Sequence, residues 1–310
     1  MVVERLVEIA EKCVKETIKL GASQAQVNTF LIDNALTRFA NSQIHQNVAS
    51  KIGGIIVKAI LPDKRIGTFR ANTLEEAEIG KIAETAIKMA KSAHPNEDFK
   101  SLPEPEPWTP IQGAFDSETA SCTPDYRAEK VREAIETAHG KSSIVRAVAG
   151  YFSTSAIHFA VANSLGVSAY ASLTTASMKT TVISEEDGSE GFGTAEKYSR
   201  YIKDINPTIL AEDAAEKSVK SVKPIKVQPG EYAVVLSPLA VATIFSYLGY
   251  IGFSAVPYQN GVSFVNYFKN QQVFDSKINV KDDARDPRTL FMTPVDGEGV
   301  PKKALNLIKN

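Results

Sequence analysis

The sequence predicts an α+β fold: an N-terminal domain of helix and antiparallel sheet, then a second, sheet-rich α+β domain that is incomplete at its C-terminal end. Three observations point there. The first twenty residues repeat apolar side chains at three- and four-residue steps (Val3, Leu6, Val7, Ala10, Cys13, Val14), the stripe of an amphipathic helix. The pattern then changes to short runs of strand character, broken at Asp33-Asn34 and Asn41-Ser42, which is turn chemistry. Four prolines between Pro103 and Pro110 make a stiff, extended connector.

In chain order, Gly21 ends the first helix. Strands are expected over 24–32, 35–40, 43–49, 52–61 and 65–70, the fourth of them central because its apolar residues barely alternate. Thr73-Leu74-Glu75-Glu76 reads as a capping box, the Thr73 hydroxyl and Glu76 carboxylate satisfying the free amides of a helix that runs to about Ala93. Residues 1–100 thus form an N-terminal α+β domain and 101–112 a Pro-rich linker, pinned to a domain surface by Trp108, the single tryptophan. A central α+β domain follows over 113–225. It has helices over 124–139 and 208–221, strands over 144–153, 155–163, 167–176 and 178–184, and a hairpin turn at Asn163-Ser164-Leu165-Gly166.

Residues 226–310 open a C-terminal domain. No charge occurs between Tyr232 and Phe268, but Pro238, Gly249, Gly252, Pro257 and Gly261 interrupt the segment too often for a membrane-spanning helix. A buried strand over 232–236 is expected instead. After it comes a buried helix with Ser237 as N-cap, Pro238 in its first turn and Ile244, Phe245 and Leu248 inside. The last run, 303–308, alternates like a strand, and its ending at Asn310 resembles half of an Asn-Gly hairpin, so the chain is expected to stop within a domain.

Composition narrows the function. Of 310 residues, 43% are hydrophobic and 23% charged, which suits a packed chain. Lys plus Arg is 35 against 36 for Asp plus Glu, so the basic excess of a protein living on phosphate contacts is missing and sequence-independent nucleic-acid binding is disfavoured. Cys13 and Cys122 form no CxxC, which excludes a metal ribbon and a disulfide framework. With no basic start followed by an apolar stretch, cytoplasmic localisation without membrane association is expected.

Catalytic patterns are scarce. His45, His94, His139 and His158 make no HExxH, and no serine lies in GxSxG. The acidic clusters Glu185-Glu186-Asp187 and Asp282-Asp283 with Asp286 read as solvated faces. The glycine-rich 187–193 misses both nucleotide fingerprints and reads as a flexible surface loop.

Several segments together resemble the TldD/PmbA family, once called modulators of DNA gyrase. They are Thr37-Arg38-Phe39-Ala40-Asn41-Ser42-Gln43-Ile44-His45-Gln46-Asn47, Gly54 to Val57 with Arg65-Ile66-Gly67, Ala71-Asn72-Thr73, the linker Ser101 to Pro105, the turn at 163–166, Gly230 to Leu236 with Pro238, and Asp296-Gly297-Glu298-Gly299-Val300-Pro301. The run around His45 is the most specific. The family holds peptidases and their paralogues, and its metal-bearing branch carries HExxxH on the helix after the Gly-Glu-Tyr strand. Two histidines on nearby turns then hold zinc, and the glutamate polarises a water. Here the matching positions are Phe245, Ser246 and Tyr250, with Gly249 retained.

The resemblance therefore implies the PmbA/TldE-like branch: a non-catalytic subunit of a TldD-type peptidase complex, supporting proteolysis or peptide maturation by a zinc-bearing paralogue. No catalytic residue, no metal ligand and no cofactor is expected in this chain, and whether it is itself an enzyme stays open. A homodimer or a heterodimer with the paralogue is implied, with peptide or unfolded protein as substrate and no direct nucleic-acid contact. Arg38, Asn41 and His45 are the candidates for substrate or partner contact. An autonomous peptidase with an unrecognised site, or a protein-binding regulator of DNA gyrase, stands as the alternative. Members of the family are longer, their C-terminal domain continuing past the last residue here.

Overall fold

A computed structural model describes residues 2–309 of the chain. They divide into two compact units, 2–224 with 284–302, and 225–283 with 303–309.

The first unit is built on one antiparallel six-stranded sheet. Its strands are β1 (Gln24–Ala40), β2 (Gln43–Ile60), β3 (Ile66–Ala71), β4 (Val145–Asn163), β5 (Ser168–Glu186) and β6 (Ser189–Ser199), in the order β3-β2-β1-β4-β5-β6. The expected N-terminal and central domains share this sheet, because β1 pairs with β4 from Gln26↔Asn163 to Phe39↔Gly150.

Breaks expected inside four strands are absent. Asp33-Asn34, read as a turn, sits mid-strand because its polar groups are answered across the sheet. Asp33 forms an ion pair with Lys51 at 3.2 Å, and the Ser155 hydroxyl donates to Asn34 Oδ1. Asn41-Ser42 does turn the chain, with φ of 48° and 60°, the two positive values of a tight hairpin.

Helices lie on one face of the sheet. α1 (Val2–Lys19) and α2 (Ile79–Ser92) bury Ile9, Ala10, Cys13, Ile82 and Ala86 against Ala25, Val27, Ile55 and Val57. After the short α3 (Ser117–Ala120), α4 (Pro124–Lys141) and α5 (Pro207–Lys220) cover Phe39, Phe152, Met178 and Val182. Thr123 and Asn206 cap these two helices, accepting from the amides of Tyr126 and Ile209.

The capping box at Thr73 is not formed. The Thr73 hydroxyl accepts from the amide of Glu75, a short 3-10 turn (Glu76–Glu78) precedes α2, and Glu76 binds Lys12 at 2.6 Å. The long-range ion pair has taken the carboxylate that the box required.

The glycine-rich segment read as a flexible loop is also different. Asp187 and Gly188 make a tight turn with positive φ, and Gly191 and Gly193 lie inside β6. A Cβ on Gly193 would come 2.0 Å from the Ala214 carbonyl oxygen of α5, so the glycine lets helix and strand touch.

The Pro-rich linker lies along the sheet. Leu102 N donates to Gln24 Oε1 at 2.8 Å, the Asn163 amide donates to the Pro103 carbonyl at 2.8 Å, and Trp108 Nε1 donates to the Ser168 carbonyl at 3.1 Å. Residues 284–302 return to the first unit. Arg200 donates to the carbonyls of Pro287 and Thr289, Gln26 and Asn28 donate to the Gly297 carbonyl, and Lys58 pairs with Glu298 at 3.1 Å.

The second unit holds α6 (Pro238–Tyr247), a π-helical turn (Leu248–Phe253), α7 (Ala255–Gln259), α8 (Val265–Phe268) and a two-stranded sheet of β7 (Val280–Asp282) and β8 (Leu305–Ile308). Ser237 caps α6 as expected, accepting from Ala240 N at 3.4 Å. Two expectations fail here. Residues 232–236 form no strand, and Val235 is fully exposed. Helix α6 buries no residue: Ile244 is exposed, and Phe245 and Leu248 are only half-buried. Short helices and a two-stranded sheet offer too little surface to enclose so apolar a segment. Among the described residues no helix is long and apolar enough to cross a membrane.

Candidate functional site

Arg38, Asn41 and His45 come together at the β1–β2 hairpin. Arg38 pairs in register with Gln46, whereas the next pair is Phe39↔Ile44. His45 is therefore the extra residue of a β-bulge, left without a partner in the ladder. All three side chains are exposed. The hairpin is held rigidly: Ser42 N donates to the Val148 carbonyl at 2.9 Å, Val148 N donates to the Ser42 hydroxyl at 3.1 Å, and that hydroxyl lies 2.8 Å from His139 Nε2. His139 thus has a definite hydrogen-bonding role at the end of α4.

Behind the hairpin lies a buried cation. Arg127 is 1% exposed. It donates to Thr37 Oγ1 at 3.3 Å, to the Cys122 carbonyl at 3.0 Å and to Asn47 Oδ1 at 3.4 Å, all neutral acceptors. The signature strands therefore carry a polar anchor on the helical side and exposed groups at their turn. Nearby, a cavity of about 360 Å³ opens between the helix pairs, with Asp33, Lys51, Thr119, Cys122 and Thr154 in its walls. Burial pushes the Cys122 thiol up, against the pull of Arg127. Burial also holds His158, whose Nδ1 lies 2.8 Å from Ser172 Oγ, below the ordinary histidine range; Asp33 opposes this and Lys51 adds to it.

The sheet face away from the helices carries a second polar group that the sequence reading did not single out. The hydroxyls of Tyr151 and Tyr198 both donate to Glu196 Oε1 at 2.6 Å. Burial and this carboxylate push the Tyr151 hydroxyl up in pKa, so it stays a donor. The available signal was Glu196 and Tyr198 two residues apart in one strand; Tyr151 and Lys179 join them only once the strand register is fixed.

Two family models match the chain: the PmbA/TldA metallopeptidase central domain over residues 120–222 and the C-terminal domain of the same family over 229–310. Together they span more than half of it. The chain belongs to the TldD/PmbA family. Solved structures agree in fold. TldE from Thermococcus kodakarensis is 21% identical with a TM-score of 0.85, over 97% of this chain and 67% of that one. A proposed modulator of DNA gyrase from Thermotoga maritima is 20% identical with a TM-score of 0.84, over 97% and 68%. Another from Bacteroides thetaiotaomicron is 18% identical with a TM-score of 0.88, over 100% and 71%. No curated protein sequence matches significantly.

In this TldD/PmbA chain the metal-motif positions fall at the junction of α6 and the π-helical turn. That winding matters, because i→i+5 geometry brings residues five apart close to one line, as a motif with its outer ligands five apart requires. The side chains do not fit a metal. Phe245 supplies no donor, the Ser246 hydroxyl is spent on the Thr243 carbonyl at 2.8 Å, and Tyr250 points out with 79% exposure. No group of three or more His, Cys, Asp or Glu suited to a metal ion occurs among the described residues.

Proposed function

We propose that this chain is a PmbA/TldE-like, non-catalytic subunit of a TldD-type peptidase complex, supporting proteolysis or peptide maturation by a zinc-bearing paralogue. The observation that carries the reading is the chemistry at Phe245, Ser246 and Tyr250. Within a metallopeptidase-family domain, the positions for two imidazoles and a general base hold groups that cannot bind zinc or move a proton. In this reading Arg38, Asn41 and His45 contact substrate or the partner subunit. Both cysteines are free, which fits a reducing compartment such as the cytoplasm.

The test is co-expression with an HExxxH paralogue, followed by affinity purification and a peptidase assay on unfolded substrate. Stable co-purification, with activity lost when the paralogue's glutamate is replaced but not when Ser246 is, supports the reading. Zinc-dependent cleavage by this chain alone contradicts it. The names of the Thermotoga and Bacteroides proteins favour a second reading, a regulator that binds gyrase protein. A net charge of -1 argues against DNA itself as the target. Nuclease-treated pull-down of gyrase subunits separates the two.

A further inference from the structure

One row of side chains crosses the helix-free face at a single register. Gln46 on β2, Arg38 on β1, Tyr151 on β4, Lys179 on β5 and Glu196 on β6 lie side by side. Adjacent strands are about 4.8 Å apart, so Arg38 and Lys179 flank Tyr151 with backbones about 10 Å apart. Both side chains are long enough to converge above the tyrosine. Among the described residues neither takes part in an ion pair or a side-chain hydrogen bond. Glu196, the carboxylate of the row, is committed to two tyrosine hydroxyls through one oxygen.

A strip of alternating apolar and polar rungs leads to this row. Leu36 on β1 and Val48 on β2 lie next to it, then the polar Asn34, Ser50 and Ser155, then Ile32, Ile52 and Ile157. Val48 and Ile52 are 45% and 42% exposed. Beyond Arg38 the β1–β2 pair ends at the Asn41-Ser42 turn, so the strip ends at the charged row.

We propose that Arg38 and Lys179 form a carboxylate site that holds the C-terminal carboxylate of an extended peptide lying along this strip. The assignment rests on the peptide-handling role argued above and adds which end of the chain is recognised. Charge decides the occupant: two cations in no ion pair flank the end of this strip, and the terminus of an extended chain supplies one anion there. A guanidinium binds both oxygens of a carboxylate through parallel hydrogen bonds, and the lysine adds a point charge from the other side. Glu196, one strand beyond Lys179, closes the row on that side and disfavours an acidic residue further along.

The experiment is fluorescence anisotropy of an N-terminally fluorescein-labelled apolar hexapeptide in two forms, free acid and C-terminal amide. Each is titrated with the full chain, with Lys179→Gln, with Arg38→Gln and with the double variant. The free acid is expected to bind about tenfold tighter than the amide. Each single variant should narrow that gap, the double variant should close it, and Lys179→Arg should restore it. The gap should also shrink with added salt. Equal binding of acid and amide to the unaltered chain overturns the carboxylate site while leaving peptide handling intact. Failure of both forms to bind overturns both. An amide peptide ending in glutamate that binds as tightly as the free acid overturns the assignment to a chain terminus.

Discussion

Arg127 is a guanidinium without a carboxylate, buried under the signature strands and bound to neutral oxygens. Its removal leaves acceptors on Thr37 and Cys122 unpaired in a water-poor site. Arg127→Met is therefore expected to cost about 2–4 kcal/mol, read by urea unfolding, with Arg127→Lys intermediate because an ammonium cannot reach all three acceptors. Full stability in Arg127→Met would show that the anchor is dispensable. The cysteines differ in the same local way. Burial pushes Cys13 up to about 12, and Cys122 is half-buried and also raised. A thiol reagent should label Cys122 slowly in the native chain and Cys13 only after unfolding.

His158 gives a pH prediction with a definite sign. Its folded pKa lies below the unfolded one, so the unfolded chain takes up the proton first. The stability it contributes is complete above the ordinary histidine pKa and is lost as pH falls through the lowered folded value. From about pH 7.5 to about pH 5.5 the native chain should lose more melting temperature than His158→Gln. An equal loss in both would remove His158 from the acid response.

At the scale of elements, β6 and α5 show how small residues set packing. Gly193 stands where α5 crosses, and a methyl group there meets a carbonyl oxygen and the Ser218 amide at distances real side chains do not adopt. Gly193→Ala should push the helix away from the sheet and lower stability by about 2–4 kcal/mol, whereas Gly188→Asn, in the turn, should cost under about 1 kcal/mol. Comparable losses would mean that the segment behaves as a loop.

Helix α6 carries the opposite lesson. Its open face makes the triple substitution Phe245→His, Ser246→Glu, Tyr250→His cheap, with about 1 kcal/mol or less lost on thermal unfolding. Dialysed protein should still hold no stoichiometric zinc by elemental analysis, because a third ligand and its hydrogen-bonded support are missing. One zinc per chain would show a latent site.

These elements also show what local sequence carries. Amphipathic helices and the cap at Ser237 act within a few residues, and they were legible. Asp33-Asn34 was misread because its partners Lys51 and Ser155 lie on other strands. The capping box failed because Lys12 is an entire hairpin away from Glu76 in sequence. The candidate site divides along the same line. Arg38 and His45 announce themselves in one continuous signature, while Lys179, Tyr151 and Glu196 form a row only through the pairing of four strands.

For the whole molecule, the two units bury their apolar residues very differently. The first encloses continuous cores on its sheet. The second leaves Val234, Val235, Ile251 and Val262 from 55% to 100% exposed. Apolar surface on that scale is covered by a partner in proteins that stay soluble, and otherwise drives association. The 310-residue chain alone is therefore expected to rise in apparent mass by light scattering over about a hundredfold range of concentration, and to bind an apolar dye. Val235→Asn with Ile251→Asn should weaken both effects while leaving the unfolding of the first unit unchanged, since neither residue belongs to its cores. The same double variant discriminates between homotypic and heterotypic covering. If a TldD-type paralogue covers this surface, its co-expression should suppress both association and dye binding in the unaltered chain, and the variant should lose co-purification. A chain that stays monomeric and dye-free at every concentration would mean that the apolar face is closed in solution by a rearrangement of the second unit itself.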